Sequence, residues 1–127
     1  MDIKGIHLSR NDFIIVGNTA VLKTNVTKSL PGMLLIYADW CGHCTRFKPV
    51  FNKLCSAVGR DFVCASIENE KLEQSPKLSS ALNFSGFPTI KFFDDKGNIV
   101  GDYPSSNREF DAVLGYIQKF KIHNQYH

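Results

Sequence analysis

Apolar residues in this chain fall into short unbroken runs and helix-spaced stripes that alternate along its length. Met33-Leu34-Leu35-Ile36-Tyr37-Ala38 is an uninterrupted apolar run of strand length. Such a run marks a strand buried on both faces, so it predicts the central strand of a sheet. Directly after it, Phe47, Val50, Phe51, Leu54 and Val58 recur at helical spacing and predict a helix from about Cys41 to Gly59, stopped by that glycine. Asp61 to Ile67 reads as a second buried strand, and strand, helix and strand together make a βαβ unit with parallel pairing. A short helix is expected around Lys77 to Leu82. Thr89 to Phe93 and Ile99 to Tyr103, joined by Asp94-Asp95-Lys96-Gly97-Asn98, predict an antiparallel hairpin. A last helix begins near Asn107 with the stripe Phe110, Val113, Leu114, Ile117 and Phe120. The N-terminal third is less regular. One of Phe13 to Val16 and Ala20 to Leu22 is taken as an edge strand and the other is left open, and Pro31-Gly32 ends any short helix within Thr24 to Leu30. The pattern is that of an α/β domain with a central mixed sheet flanked by helices.

The 127 residues suit a single domain spanning 1–127, with a core from about 13 to 120. At 43% hydrophobic and 21% charged the composition is ordinary for a globular chain. Formal net charge is +3, but the Lys and Arg residues are scattered, which argues against a nucleic-acid surface. No segment approaches the roughly 18 apolar residues of a membrane span. Met1 to Val16 lacks the apolar core of a signal peptide, and Asn124-Gln125-Tyr126-His127 is not a retention signal for the endoplasmic reticulum. For the chain as it stands an intracellular site, cytoplasmic or packaged with a virus, is favoured over that compartment unless a targeting segment has been removed.

Four cysteines are unevenly placed. Cys41 and Cys44 form C-x-x-C, whereas Cys55 and Cys64 stand apart. The pair falls where the central strand gives way to the helix. Free amide N–H groups and the positive end of the helix dipole stabilise a thiolate there. Cys41 is therefore the candidate nucleophile, since such surroundings bring a thiol pKa from about 8.5 to about 3.5–7.5. Cys44 lies one turn further on the same face, placed to attack a mixed disulfide at Cys41 and release the substrate. Gly42 and His43 lie between them, and a charge-assisted contact from His43 would tune the thiolate. Trp40, beside the nucleophile, is read as an exposed aromatic rim for substrate. Phe87-Pro88, just before a strand, is a candidate cis peptide.

Tyr37-Ala38-Asp39-Trp40-Cys41-Gly42-His43-Cys44, the helical Pro49, and Gly86-Phe87-Pro88-Thr89-Ile90-Lys91-Phe92-Phe93 together resemble the thioredoxin superfamily over about Phe13 to Phe120. Cys-Gly-His-Cys is similar to the active domains of protein disulfide isomerases rather than to thioredoxins, which carry Cys-Gly-Pro-Cys. The resemblance implies a thioredoxin fold, with the βαβ unit followed by a ββα unit. It also implies a redox-active Cys41–Cys44 disulfide, Cys41 attacking and Cys44 resolving. Pro88 would be the cis-proline facing the pair, with the Phe87 backbone bonding an extended substrate segment. Arg108 resembles the isomerase arginine that eases deprotonation of the buried cysteine. Leu35 departs from the pattern. It stands where the family carries a buried acid as proton acceptor for the resolving cysteine, which implies slower release of mixed disulfides.

The implied activity is thiol–disulfide exchange of an oxidoreductase or isomerase type, with no cofactor and no metal. The chain would act as a monomer on protein substrates bearing thiols or disulfides, with an upstream oxidase or reductase as a further partner. Two alternatives belong to the same fold: a cytosolic thioredoxin-like reductase, and a client-binding module with weak redox activity. A zinc module would need a second paired half-site, whereas Cys55 and Cys64 read as small core hydrophobes.

Overall fold

The structure, a computed structural model, describes residues 2–125. Residues 1, 126 and 127, part of the expected domain and of the C-terminal sequence considered above, lie outside them. The elements in chain order are β1 (Ile6–His7), a 3-10 turn (Arg10–Asp12), β2 (Phe13–Val16), β3 (Thr19–Leu22), α1 (Thr24–Thr27), β4 (Gly32–Tyr37), α2 (Gly42–Ala57), β5 (Val63–Glu68), α3 (Asn69–Glu73), α4 (Pro76–Leu82), β6 (Thr89–Phe93), β7 (Ile99–Asp102) and α5 (Phe110–Gln125).

The main sheet has the order β1-β5-β4-β6-β7. β1, β5 and β4 run parallel, and β6 and β7 are antiparallel to their neighbours. Every residue of β4 is buried because both faces of this central strand are covered. Met33, Leu35 and Tyr37 enter one core with Phe47, Phe51 and Leu54 of α2 and Val113 and Ile117 of α5. Leu34 and Ile36 enter the other with Phe13 and Leu22 of the N-terminal hairpin, Leu72 of α3, and Leu78 and Leu82 of α4. The unbroken apolar run therefore records two packed layers, and the expected α/β architecture with a βαβ and a ββα half is present.

Four expectations need correction. Phe13–Val16 and Thr19–Leu22 pair with each other in a separate two-stranded sheet. The edge of the main sheet is instead Ile6–His7, held by pairing with Ala65 and Ser66. Since Ile3 and Leu8 are buried, the core begins ahead of residue 13. α5 starts at Phe110 because Asn107 and Ser105 occupy the preceding amides: Glu109 N–H donates to Asn107 Oδ1 at 3.0 Å and Asn107 N–H to Ser105 Oγ at 3.0 Å. Cys55 is half-buried and touches the thiol of the buried Cys64, so it is not the plain core residue its place on the stripe suggested.

Candidate active site

β4 ends at Tyr37, and the chain turns through Ala38-Asp39-Trp40 into α2. Cys41 is the N-cap residue of that helix, with extended backbone (φ −86°, ψ 119°). Its sulfur accepts the Cys44 amide N–H at 3.2 Å, one of the donors that a helix start cannot satisfy internally. On the other side the Cys41 thiol donates to the Phe87 carbonyl at 3.6 Å. The Phe87-Pro88 peptide, which delivers that carbonyl at the start of β6, is cis.

The two thiols differ in acidity. Burial pushes the Cys41 thiol up, but the hydrogen bond from the Cys44 side chain, those from the Cys44 and His43 amides and the Arg108 charge outweigh it, leaving Cys41 below an ordinary thiol. Cys44 is pushed up to about 12 by burial and by its hydrogen bond to Cys41, with the Cys41 charge adding to the rise and the Ala38 backbone and Lys48 charge opposing it. The two sulfurs are thus set apart in acidity, Cys41 towards the thiolate and Cys44 towards the protonated thiol.

The sequence-derived residues gather around this pair. Trp40 is 73% exposed and meets the Phe87 ring edge-on at 5.6 Å, forming an aromatic rim beside Cys41. Gly42 opens α2. The His43 side chain is exposed, and its Nδ1 accepts from Arg46 Nη2 at 2.7 Å, so His43 reaches Cys41 through its amide. Arg108 lines a cleft of about 180 Å³ with Pro88 and Tyr103, and a second of about 150 Å³ with His43 and Phe47. Its charge favours the thiolate of Cys41. Leu35 is 1% exposed and shares a core cluster with both cysteines, and its register partner Ser66 carries a buried hydroxyl with no hydrogen-bond partner among the described residues. Neither residue supplies an acid there.

The sequence reading missed the polar group beside Cys44. Lys48, half-buried, is 3.3 Å from Asp39 Oδ1 and sits over the Tyr37 ring at 5.4 Å. The Tyr37 phenol is raised by burial first and then by the charges of Asp39, Glu68 and Cys44. Lys48 lies one helical turn after Cys44, a spacing that would have flagged it. Nothing local marks Glu68, whose carboxylate accepts the Asp39 amide at 3.0 Å only because β5 ends beside β4. Among the described residues no three His, Cys, Asp or Glu side chains gather as a metal site, and no helix is long and apolar enough to cross a membrane.

The chain is 38% identical to protein disulfide isomerase-like 2-1 of Oryza sativa subsp. japonica over 85 residues, which are 65% of this chain and 22% of the relative. It is 33% identical to a protein disulfide-isomerase of Zea mays over 86 residues, 65% of this chain and 16% of that one. It therefore spans about a fifth of the length of these curated relatives. Among solved structures a mutant thioredoxin from Halobacterium salinarum NRC-1 superposes with a TM-score of 0.66 at 24% identity, over 91% of this chain and 89% of that chain, a likeness of fold. A family model described as thioredoxin matches residues 14–119. Because that match takes in every element that frames the Cys41–Cys44 pair, the chain belongs to the thioredoxin family.

Proposed function

We propose that this chain is a thiol–disulfide oxidoreductase that exchanges disulfides with protein substrates through a mixed disulfide at Cys41, resolved by Cys44. The opposite setting of the two thiols carries the reading: Cys41 is lowered and Cys44 raised to about 12 within one helical turn. The Cys41 thiolate attacks one sulfur of a substrate disulfide, and the other sulfur leaves as a thiolate and takes up a proton. Cys44 then loses its proton and attacks the Cys41 sulfur, freeing the second substrate thiol. The substrate gains two electrons and the protein pair loses them; the reverse sequence oxidises a substrate dithiol. Trp40 and the Phe87 backbone offer an extended segment a place beside the sulfur. The likeness to protein disulfide isomerases supports protein substrates.

Insulin reduction and refolding of a scrambled disulfide substrate test the proposal. Cys41→Ser is expected to bring both to background, and Cys44→Ser to stall as a covalent adduct at Cys41. Activity retained in Cys41→Ser would overturn the assignment.

A further inference from the structure

Behind the site, α2 and β5 bring together two thiols that the exchange reaction does not use. Cys55 lies on the last turns of α2 and Cys64 on β5. Their side chains meet within hydrogen-bonding reach, and both are free thiols. Cys64 is buried in the core beneath α2, and Cys55 packs against the same core while keeping part of its surface open. The arrangement repeats the asymmetry of the active pair: a reachable sulfur rests against a buried one whose acidity is suppressed by the contact and by burial.

We propose that Cys55 and Cys64 form a second redox dithiol, which closes to a disulfide joining the helix of the active site to strand β5. The oxidant is a small-molecule disulfide such as oxidised glutathione. Cys55, as thiolate, attacks one of its sulfurs; the S–S bond breaks, one glutathione leaves as thiol, and the other stays bonded to Cys55. Cys64 gives its proton to solvent and attacks the Cys55 sulfur, expelling the second glutathione. Two protein thiols lose two electrons, and the glutathione disulfide gains them.

The N-terminal segment packs beside this pair. Lys4 N–H donates to Asn52 Oδ1 at 2.8 Å, Asn52 Nδ2 donates to the Asp2 carbonyl at 2.9 Å, and Lys4 Nζ donates to Ser56 Oγ at 3.2 Å. Asn52 and Ser56 flank Cys55 on α2. At Gly5 a side-chain carbon would fall 3.1 Å from Cys64 Cβ and against the Cys64 carbonyl, so only glycine lets the segment lie so close. The segment therefore packs against Cys64 and against the α2 residues on either side of Cys55, while Cys55 keeps part of its surface open.

The full chain carrying Cys41→Ser and Cys44→Ser, incubated with oxidised glutathione, is the test. Mass spectrometry after alkylation under denaturing conditions should show loss of two hydrogens, no glutathione adduct, no alkylatable thiol, and one disulfide linking the peptides of Cys55 and Cys64. Closing so short a loop between two packed elements should raise Tm by several degrees over the reduced form. Adding Cys64→Ser should leave glutathione lodged on Cys55. Two alkylatable thiols after prolonged oxidation, or a stable glutathione adduct on Cys55 with Cys64 free, would overturn the proposal. The unsubstituted chain, oxidised and digested in acid, gives an independent reading: the Cys55–Cys64 peptide must occur beside the Cys41–Cys44 one, and its absence would count equally against the idea.

Discussion

Cys41 sits just outside the first turn of α2 and collects amide N–H groups the helix cannot use, while Cys44, one turn in, is enclosed by the core. The consequence is measurable as a pH profile. Iodoacetamide consumes the thiolate, so its rate on Cys41 follows the thiolate fraction. Because the Cys41 pKa is lowered, the rate should approach its plateau with a midpoint below the roughly 8.5 of a free thiol. Cys44→Ala removes the side-chain donor and should move that midpoint up; a midpoint at or above 8.5 in the unsubstituted chain would refute the account. Leu35 bears on the second half of the cycle. With Cys44 near 12 and a leucine beneath the pair, loss of the Cys44 proton should be slow, and acid quenching of a working reaction should trap mixed disulfide on Cys41. Leu35→Glu should lower the trapped fraction by about tenfold, a modest share of what a positioned base supplies, at a stability cost of a few kcal/mol for burying an acid. An unchanged fraction in folded Leu35→Glu would mean that another group takes the proton. The placement of Trp40, Cys41 and Cys44 at a strand-to-helix junction was legible in the sequence because the three lie within one short stretch, and the cis Phe87-Pro88 peptide because its motif precedes a strand. The roles of Lys48, Arg46 and Glu68 were not, since they depend on side-chain directions along α2 and on where β5 ends.

The elements that could be read from the sequence are those whose own residues bury enough apolar surface to set their pattern. β4 and α2 are such elements, as is α5, where Phe120 packs against the rings of Phe62 and Phe92. β1 is not, because its two residues are both exposed and only backbone pairing to β5 holds it in the sheet. α3 escaped notice for a similar reason: it buries a single residue, Leu72, and is started by the Glu68 side chain accepting the Glu70 amide. The N-terminal hairpin gains its place from a turn far along the chain. Gly97, in the β6–β7 turn at φ +84°, accepts the Leu22 N–H on its carbonyl at 2.9 Å, and a Cβ there would run into the Leu22 backbone. Gly97→Ala should therefore cost about 2–4 kcal/mol, from a left-handed conformation and a backbone clash together, and lower Tm by roughly 10 °C. A Tm within 2 °C or so of the parent, about the effect expected of a neutral surface change, would show that the hairpin does not lean on this turn.

At the scale of the whole molecule, the sheet separates two cores, and the active pair belongs to the one under α2 and α5. Its direction of exchange is set by how far the fold favours the reduced dithiol. A lowered Cys41 stabilises that form, so the couple should be more oxidising than one between two thiols of ordinary acidity, on a scale marked by thioredoxin at about −270 mV and protein disulfide isomerase at about −180 mV. Equilibration with glutathione measures this, and a value near the reducing cytosolic poise would identify a reductase. The means of following that equilibrium is already part of the site. Trp40 is the single tryptophan of the chain, it stands on the rim next to Cys41, and it is largely exposed. A neighbouring disulfide drains the excited state of indole, so emission brightens as the pair is reduced. A substrate segment settling over the ring moves the emission to the blue. Intrinsic fluorescence should thus report both the redox state of the pair and any occupancy of the rim, without a label and in real time.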